Sequence, residues 1–177
     1  MIRFLLSVAA AALTFAPISF AASPYVHEQS RGIKALSDQE MADYAAGKGM
    51  GFAKAAELNG YPGPAHVLEL ADDLTLSPLQ RERTAALFRR MQTRASALGA
   101  RLVDEERTLD ELFAAKSISR EALAKALSSI ATLQSEIRAT HLQAHLEQAE
   151  ILNAAQAMKY GHLRGYDDNS APSPHKH

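Results

Sequence analysis

The 177-residue chain contains no cysteine or tryptophan, and its 19 basic residues nearly balance 20 acidic ones, for a formal net charge of −1. Disulfides and a lipidated cysteine anchor are excluded, and the near-neutral balance argues against nucleic acid as the main partner. Aromatics at 6%, with abundant Ala, Leu, Glu, Gln and Arg, point to an all-α protein with a thin core that a second copy would help complete.

Met1-Ile2-Arg3 is a short positive start, residues 4–20 are apolar and Ala-rich, and Ser19-Phe20-Ala21 places small residues around a cleavage point after Ala21. Residues 1–21 therefore read as a signal peptide. Pro17 and the segment's shortness argue against a spanning helix, so stable membrane insertion is not expected and the mature protein should be periplasmic. Without Arg3 the mature chain carries 18 basic and 20 acidic residues, near −2.

Residues 22–61 read as an N-terminal arm with short helices. No periodicity marks 25–36, which suggests an extended arm. Ser37-Asp38-Gln39-Glu40 is a capping box that starts a helix, Gly47, Gly49 and Gly51 form a hinge or close-packing point, residues 52–58 resume the helix, and Asn59-Gly60 stops it. Tyr61-Pro62-Gly63-Pro64 is a rigid turn before a short apolar helix over 66–74. One long helix then spans 78–114, about 55 Å at 1.5 Å per residue. Lys116-Ser117-Ile118-Ser119 turns the chain into a second long helix over 120–151, a shorter helix covers 154–163, and the polar segment 167–177 is expected to be a disordered tail.

Positions 84, 88, 91, 95, 98, 102, 105, 109 and 112 step by alternating fours and threes and read Thr, Phe, Met, Ala, Leu, Leu, Glu, Leu, Leu, a coiled-coil-like seam. The second helix answers with Leu123, Leu127, Ile130, Leu133, Ile137 and His141. Folded as an antiparallel hairpin, residues whose numbers sum to about 233 become neighbours, which pairs Met91 with His141 and Phe88 with His145.

Two pentapeptides of one shape open helices: Leu76-Ser77-Pro78-Leu79-Gln80 and Leu152-Asn153-Ala154-Ala155-Gln156. In each, Ser77 or Asn153 stands three places before a Gln, so that cap oxygen and Gln amide satisfy each other's orphan backbone groups. Together with the export signal, the missing cysteines, the long hairpin and the closing run Gln156-Ala157-Met158-Lys159-Tyr160 before Leu163-Arg164-Gly165-Tyr166, these residues resemble the Spy/CpxP family, named for its LTxxQ motifs, and its heavy-metal-resistance relatives such as ZraP and CnrX. Ser77 stands in for the motif's first threonine, and Asn153 keeps only the capping role of the second. The resemblance places the family-like helical domain at 62–166.

The resemblance implies a cradle-like, dimeric periplasmic protein of envelope stress that binds unfolded polypeptides without ATP or modulates a sensor kinase. For that role an apolar floor of Leu87, Met91, Leu109 and Phe113 with a cationic rim including Arg90 and Arg94 is the expected client surface. The alternative is a periplasmic sensor or scavenger of divalent heavy metal. It rests on His141 and His145, an i, i+4 pair on one helical face, with His66 and Glu69 as further ligands if the short helix packs against the hairpin's open end. Client binding requires no cofactor, whereas the alternative calls for zinc, copper or nickel. A purely structural dimer subunit is a third class. No nucleophile elbow, phosphate loop, dinucleotide fingerprint or zinc-protease motif is present, so no catalytic residue is assigned and an enzyme is not expected.

Overall fold

The computed structural model describes residues 23–166, so the predicted signal segment and polar tail lie outside the described residues. Residues 23–30 form a unit of their own with one short 3-10 turn, Val26–Glu28. Residues 31–166 form a second unit of helices α1 (Asp38–Ala45), α2 (Lys54–Glu57), α3 (Pro64–Glu69), α4 (Pro78–Ala114), α5 (Arg120–Ile151) and α6 (Ala154–Leu163). No helix among the described residues is long and apolar enough to cross a membrane.

The long helices form as their sequences dictate. Pro78 takes the first turn of α4, where its missing N–H costs nothing, and no proline interrupts either long helix. Helix α4 closes with Lys116 in the left-handed region (φ +53°), the Ser117 N–H donating to the Leu112 carbonyl at 3.0 Å. Ser119 then accepts the Ala122 N–H at 3.1 Å and starts α5. Between them lies an apolar seam of Leu98, Leu102, Ile130, Leu133 and Ile137, with Tyr44, Phe52 and Leu109 packed against it. Leu127, expected on this seam, is instead 50% exposed, because its neighbour Ala126 turns inward and is buried.

Residues 25–36 are not an extended arm. Beyond the 3-10 turn, Ile33 and Leu36 face each other in an isolated bridge and bury against Val103 of α4. Two apolar residues three apart were too sparse a signal to read as packing. The short helix also differs from expectation: α3 begins at Pro64 and ends at Glu69, and the chain from Leu70 onward turns. That turn ends in Thr75 at φ +51°, where the Leu76 N–H reaches the Ala71 carbonyl at 3.0 Å.

Helix α1 lies directly on the backbone of α4. A Cβ on Gly99 would overlap the Tyr44 carbonyl, and one on Gly47 (φ +66°) would stand 2.6 Å from the Gln92 carbonyl oxygen. Ser96 Oγ and Gln92 Nε2 of α4 donate to the Ala45 and Ala46 carbonyls, satisfying acceptors that the end of α1 leaves open. The glycine run is therefore a close-packing point.

The two pentapeptides, 76 residues apart, meet at the hairpin's open end. Each Gln carbonyl oxygen accepts its own cap's backbone N–H at 3.0 Å. The two side-chain amides bond each other, Gln80 Nε2 to Gln156 Oε1 at 2.8 Å and Gln156 Nε2 to Gln80 Oε1 at 3.1 Å. Their remaining donor capacity goes to the Ile151 and Leu74 carbonyls. Leu76 and Leu152 sit beneath this pair in a core with Val67, Ala71, Leu74 and Tyr160.

Two consequences can be measured. Gly99→Ala should lower stability by about 2 kcal/mol despite alanine's better helix propensity, since overpacking against a carbonyl outweighs that gain; an unchanged or raised melting temperature would contradict the close approach. In a double-mutant cycle, Gln80→Ala and Gln156→Ala should each cost about 2 kcal/mol, with the double variant losing about 1 kcal/mol less than their sum. Strict additivity in urea unfolding would mean that the two amides do not act as a pair.

Candidate metal centre

Helix α2, the turn after it and α3 pack against the open end of the hairpin and leave a cavity of about 570 Å³. His66, Glu69, Met91, His141, His145 and Glu57 all line it. Phe88 and Met91 of α4 line it together with His141 and His145 of α5.

His141 is 3% exposed and its Nε2 has no hydrogen-bond partner. The Phe52 ring lies nearly parallel to its imidazole, at 6.5 Å between centroids, and a Cβ on Gly49 would stand 3.9 Å from Nδ1, in ordinary van der Waals contact. Burial, and secondarily the charge of nearby His145, hold its pKa below the ordinary 6.5, so the ring is neutral at pH 7. A neutral, desolvated imidazole with a free nitrogen in a cavity is chemically a ligand in waiting.

His145 is buried as well, and its orientation is fixed. Nδ1 donates to the Tyr61 carbonyl at 2.7 Å, so in the neutral ring Nε2 carries the lone pair. This is how ligand histidines are commonly oriented, with the second ring nitrogen tied to a backbone carbonyl. Glu57 Oε2 stands 3.6 Å from the same Nδ1. Gly63 completes the fit, since a Cβ there would lie 2.9 Å from His145 Cε1.

Glu57 was missed by sequence reasoning. Its carboxylate is mostly buried and accepts from the Tyr160 hydroxyl at 2.5 Å and the Tyr166 hydroxyl at 2.9 Å, with Arg164 Nε at 3.5 Å. Burial and this carboxylate push the Tyr160 pKa up. The only sequence signal was a Glu at the end of a four-residue helix, and nothing local said that the closing segment 160–166 would reach it.

His66 and Glu69 line the same cavity, but the structure does not bring them to the histidine pair as ligands. His66 Nδ1 donates to Glu69 Oε2 at 2.9 Å, and both side chains are substantially exposed. The reason is that α3 is short: the two residues, three apart on one turn, satisfy each other at the rim. Among the described residues no three His, Asp or Glu side chains converge closely enough to hold an ion.

The client surface is not assembled as expected. Leu87 is 3% exposed and belongs to the buried interior, because the close packing at the open end turns it inward. Met91 and Leu109 are half-buried, and Phe113 is 52% exposed at the other end of α4, about 39 Å from Leu87 at 1.5 Å per residue. Arg94 is exposed, while Arg90 pairs with Glu147 of α5 at 2.7 Å. Leu76, Ser77, Gln80, Leu152, Asn153 and Gln156 all take the structural places that their motif predicts.

Residues 45–159 match the heavy-metal resistance family. The chain belongs to that family. No curated protein and no solved structure was found to match it. The family match starts at Ala45, so it takes in the glycine turn, α2 and α3 that build the cavity wall as well as the hairpin. In this heavy-metal resistance protein the residues present fit a metal ion in part: the unpartnered nitrogen of His141 and the oriented ring of His145 suit a borderline metal, and Met91 suits a softer one, but the set is incomplete.

Because the folded pKa of His141 lies below its unfolded value, unfolding takes up a proton as pH falls beneath about 6.5. The stability that His141 contributes is thus complete above that pH and lost below it. Urea midpoints should fall from pH 7.5 to pH 5.5, and fall less steeply in His141→Leu. Equal pH dependence in the two proteins would show that the buried imidazole is not kept neutral.

Proposed function

We propose that this is an exported, non-enzymatic protein that captures a divalent heavy-metal ion at the open end of its helical hairpin, as a sensor or scavenger. His141 and His145 are the primary ligands, and zinc, copper or nickel the ion class. The observation that carries the reading is the buried, unpartnered His141 Nε2 lining a cavity that His145 also lines. Membership of the heavy-metal resistance family supports it. The chain's own contribution is preorganisation: α5 presents two imidazoles one turn apart, the Tyr61 carbonyl selects the His145 tautomer, and burial keeps His141 deprotonated. A bound ion would gain directional nitrogen donors whose desolvation is already complete.

A second reading, weak binding of unfolded polypeptides with modulation of a stress sensor, is supported by the exposed Phe113 and Leu127 near the hairpin tip. That function would be indifferent to chelators.

Calorimetric titration of metal-free protein with zinc, copper and nickel tests the first reading. Binding of about −8 kcal/mol or better, micromolar or tighter, is expected, with loss of at least about tenfold in His141→Ala/His145→Ala. Absence of binding, or binding untouched by that variant, rejects the cavity as a metal centre. Protection of a client from aggregation that survives EDTA would then favour the second reading.

A further inference from the structure

Two of the four methionines among the described residues, Met50 and Met91, line the cavity that His141 and His145 also line. The other two do not: Met41 packs beside Ile33 and Leu36, and Met158 is exposed. Anionic donors are scarce beside this set. Among the described residues no three His, Asp or Glu side chains converge, and the Glu57 carboxylate on the cavity wall already accepts the Tyr160 and Tyr166 hydroxyls. Lys54 on the same wall adds a positive charge.

Met50 is held at a cost. The turn Gly49-Met50-Gly51-Phe52 closes with the Phe52 N–H donating to the Gly49 carbonyl at 2.7 Å, and Met50 and Gly51 stand at φ +43° and +84°. Turns with both central residues at positive φ are dominated by Gly, Asn and Asp, because a larger side chain crowds its own backbone there. Residues kept in such conformations cluster at ligand clamps and other functional sites.

The donor chemistry decides which ion this set fits. Zinc takes imidazole together with thiolate or carboxylate, and nickel and divalent copper take nitrogen and oxygen, whereas a thioether is a soft donor that favours monovalent copper. The cost of withdrawing an ion from water also grows with the square of its charge, so a buried site built of neutral donors beside a lysine penalises a divalent ion more than a monovalent one.

We infer that the cavity is a site for a soft monovalent cation, Cu(I), with His141 and His145 as nitrogen donors and Met50 and Met91 as thioether donors. This rests on the proposed reading of the cavity as a metal centre and narrows its zinc, copper or nickel to copper in the monovalent state. Imidazoles from α5 and thioethers from α4 and the glycine turn together supply four neutral donors, and no carboxylate is needed.

The test uses the full chain, kept anaerobic with a reductant, as wild type, Met50→Leu/Met91→Leu and His141→Ala/His145→Ala. Leucine keeps the volume of methionine and removes the sulfur. Affinities for Cu(I), Ag(I), zinc and nickel are measured by competition with chelators, and X-ray absorption at the copper edge reports the neighbours of the bound ion. Wild type should bind one equivalent of Cu(I), more tightly than zinc or nickel, with both sulfur and nitrogen beside the metal. Met50→Leu/Met91→Leu should lose at least about tenfold in Cu(I) and Ag(I) affinity together with the sulfur signal, while its zinc affinity stays as in wild type. Urea unfolding without metal guards against a folding defect, and Met91→Leu alone carries the comparison if the turn at Met50 is disturbed.

Cu(I) affinity and sulfur signal unchanged in the leucine variant, or a preference of wild type for zinc or nickel that His141→Ala/His145→Ala abolishes, would overturn the inference and leave the cavity reading intact. Binding of no metal, or binding that ignores His141→Ala/His145→Ala, would overturn both.

Discussion

The reciprocal amide pair of Gln80 and Gln156 is the constraint on which the rest of the structure depends. A hairpin of two long helices is held at its tip by chain connectivity, but its open end is held only by packing. Here the two helix starts that flank that end cap themselves and then bond each other, so one pair of side chains fixes two helix termini and the junction between α5 and α6. Every polar atom of the pair is used in a site largely removed from water, where an unmade bond would cost more than the made one contributes. Leu76, Leu152 and Tyr160 supply the apolar contact that a purely polar clasp would lack.

With that end closed, α2 and α3 have a fixed surface to pack on, and the cavity is the space that remains between them and the hairpin. The interior grades from apolar to polar along the hairpin. Toward its middle the seam is Leu and Ile, whereas near the open end Thr84, His141, His145 and Gln148 are buried. Thr84 Oγ1 and both polar atoms of the Gln148 side chain are unpartnered, as is His141 Nε2. A seam meant only for stability would place aliphatic residues there. Of these four, His141 and His145 line the cavity and Thr84 and Gln148 do not.

Glu57 joins the two halves of this arrangement. It receives hydroxyls from the closing segment on one carboxylate oxygen and faces His145 with the other. The cavity wall and the closing segment up to Tyr166 are therefore linked through one mostly buried carboxylate.

The sequence by itself determined the local structure: where α4, α5 and α6 begin, the turn near Ser117, the capping boxes at Ser37, Ser77 and Asn153, and the antiparallel pairing of the two long helices that brings Met91 and His141 to one cavity. These follow from interactions within a few residues, or from a helical repeat, and need no knowledge of the rest of the chain. Tertiary structure alone decided which positions near the seam face inward. Leu87 is buried and Leu127 exposed because a 3.6-residue helix drifts away from a strict heptad phase. It alone decided that Gly99 admits the Tyr44 carbonyl, that Ile33 and Leu36 are core, and that His66 and Glu69 bond each other at the rim. The clasp between Gln80 and Gln156, and Glu57's reach to Tyr166 across 109 residues, were invisible for the same reason. A side chain's hydrogen-bond capacity is local, but its partner is chosen by where the whole chain places the nearest complementary group.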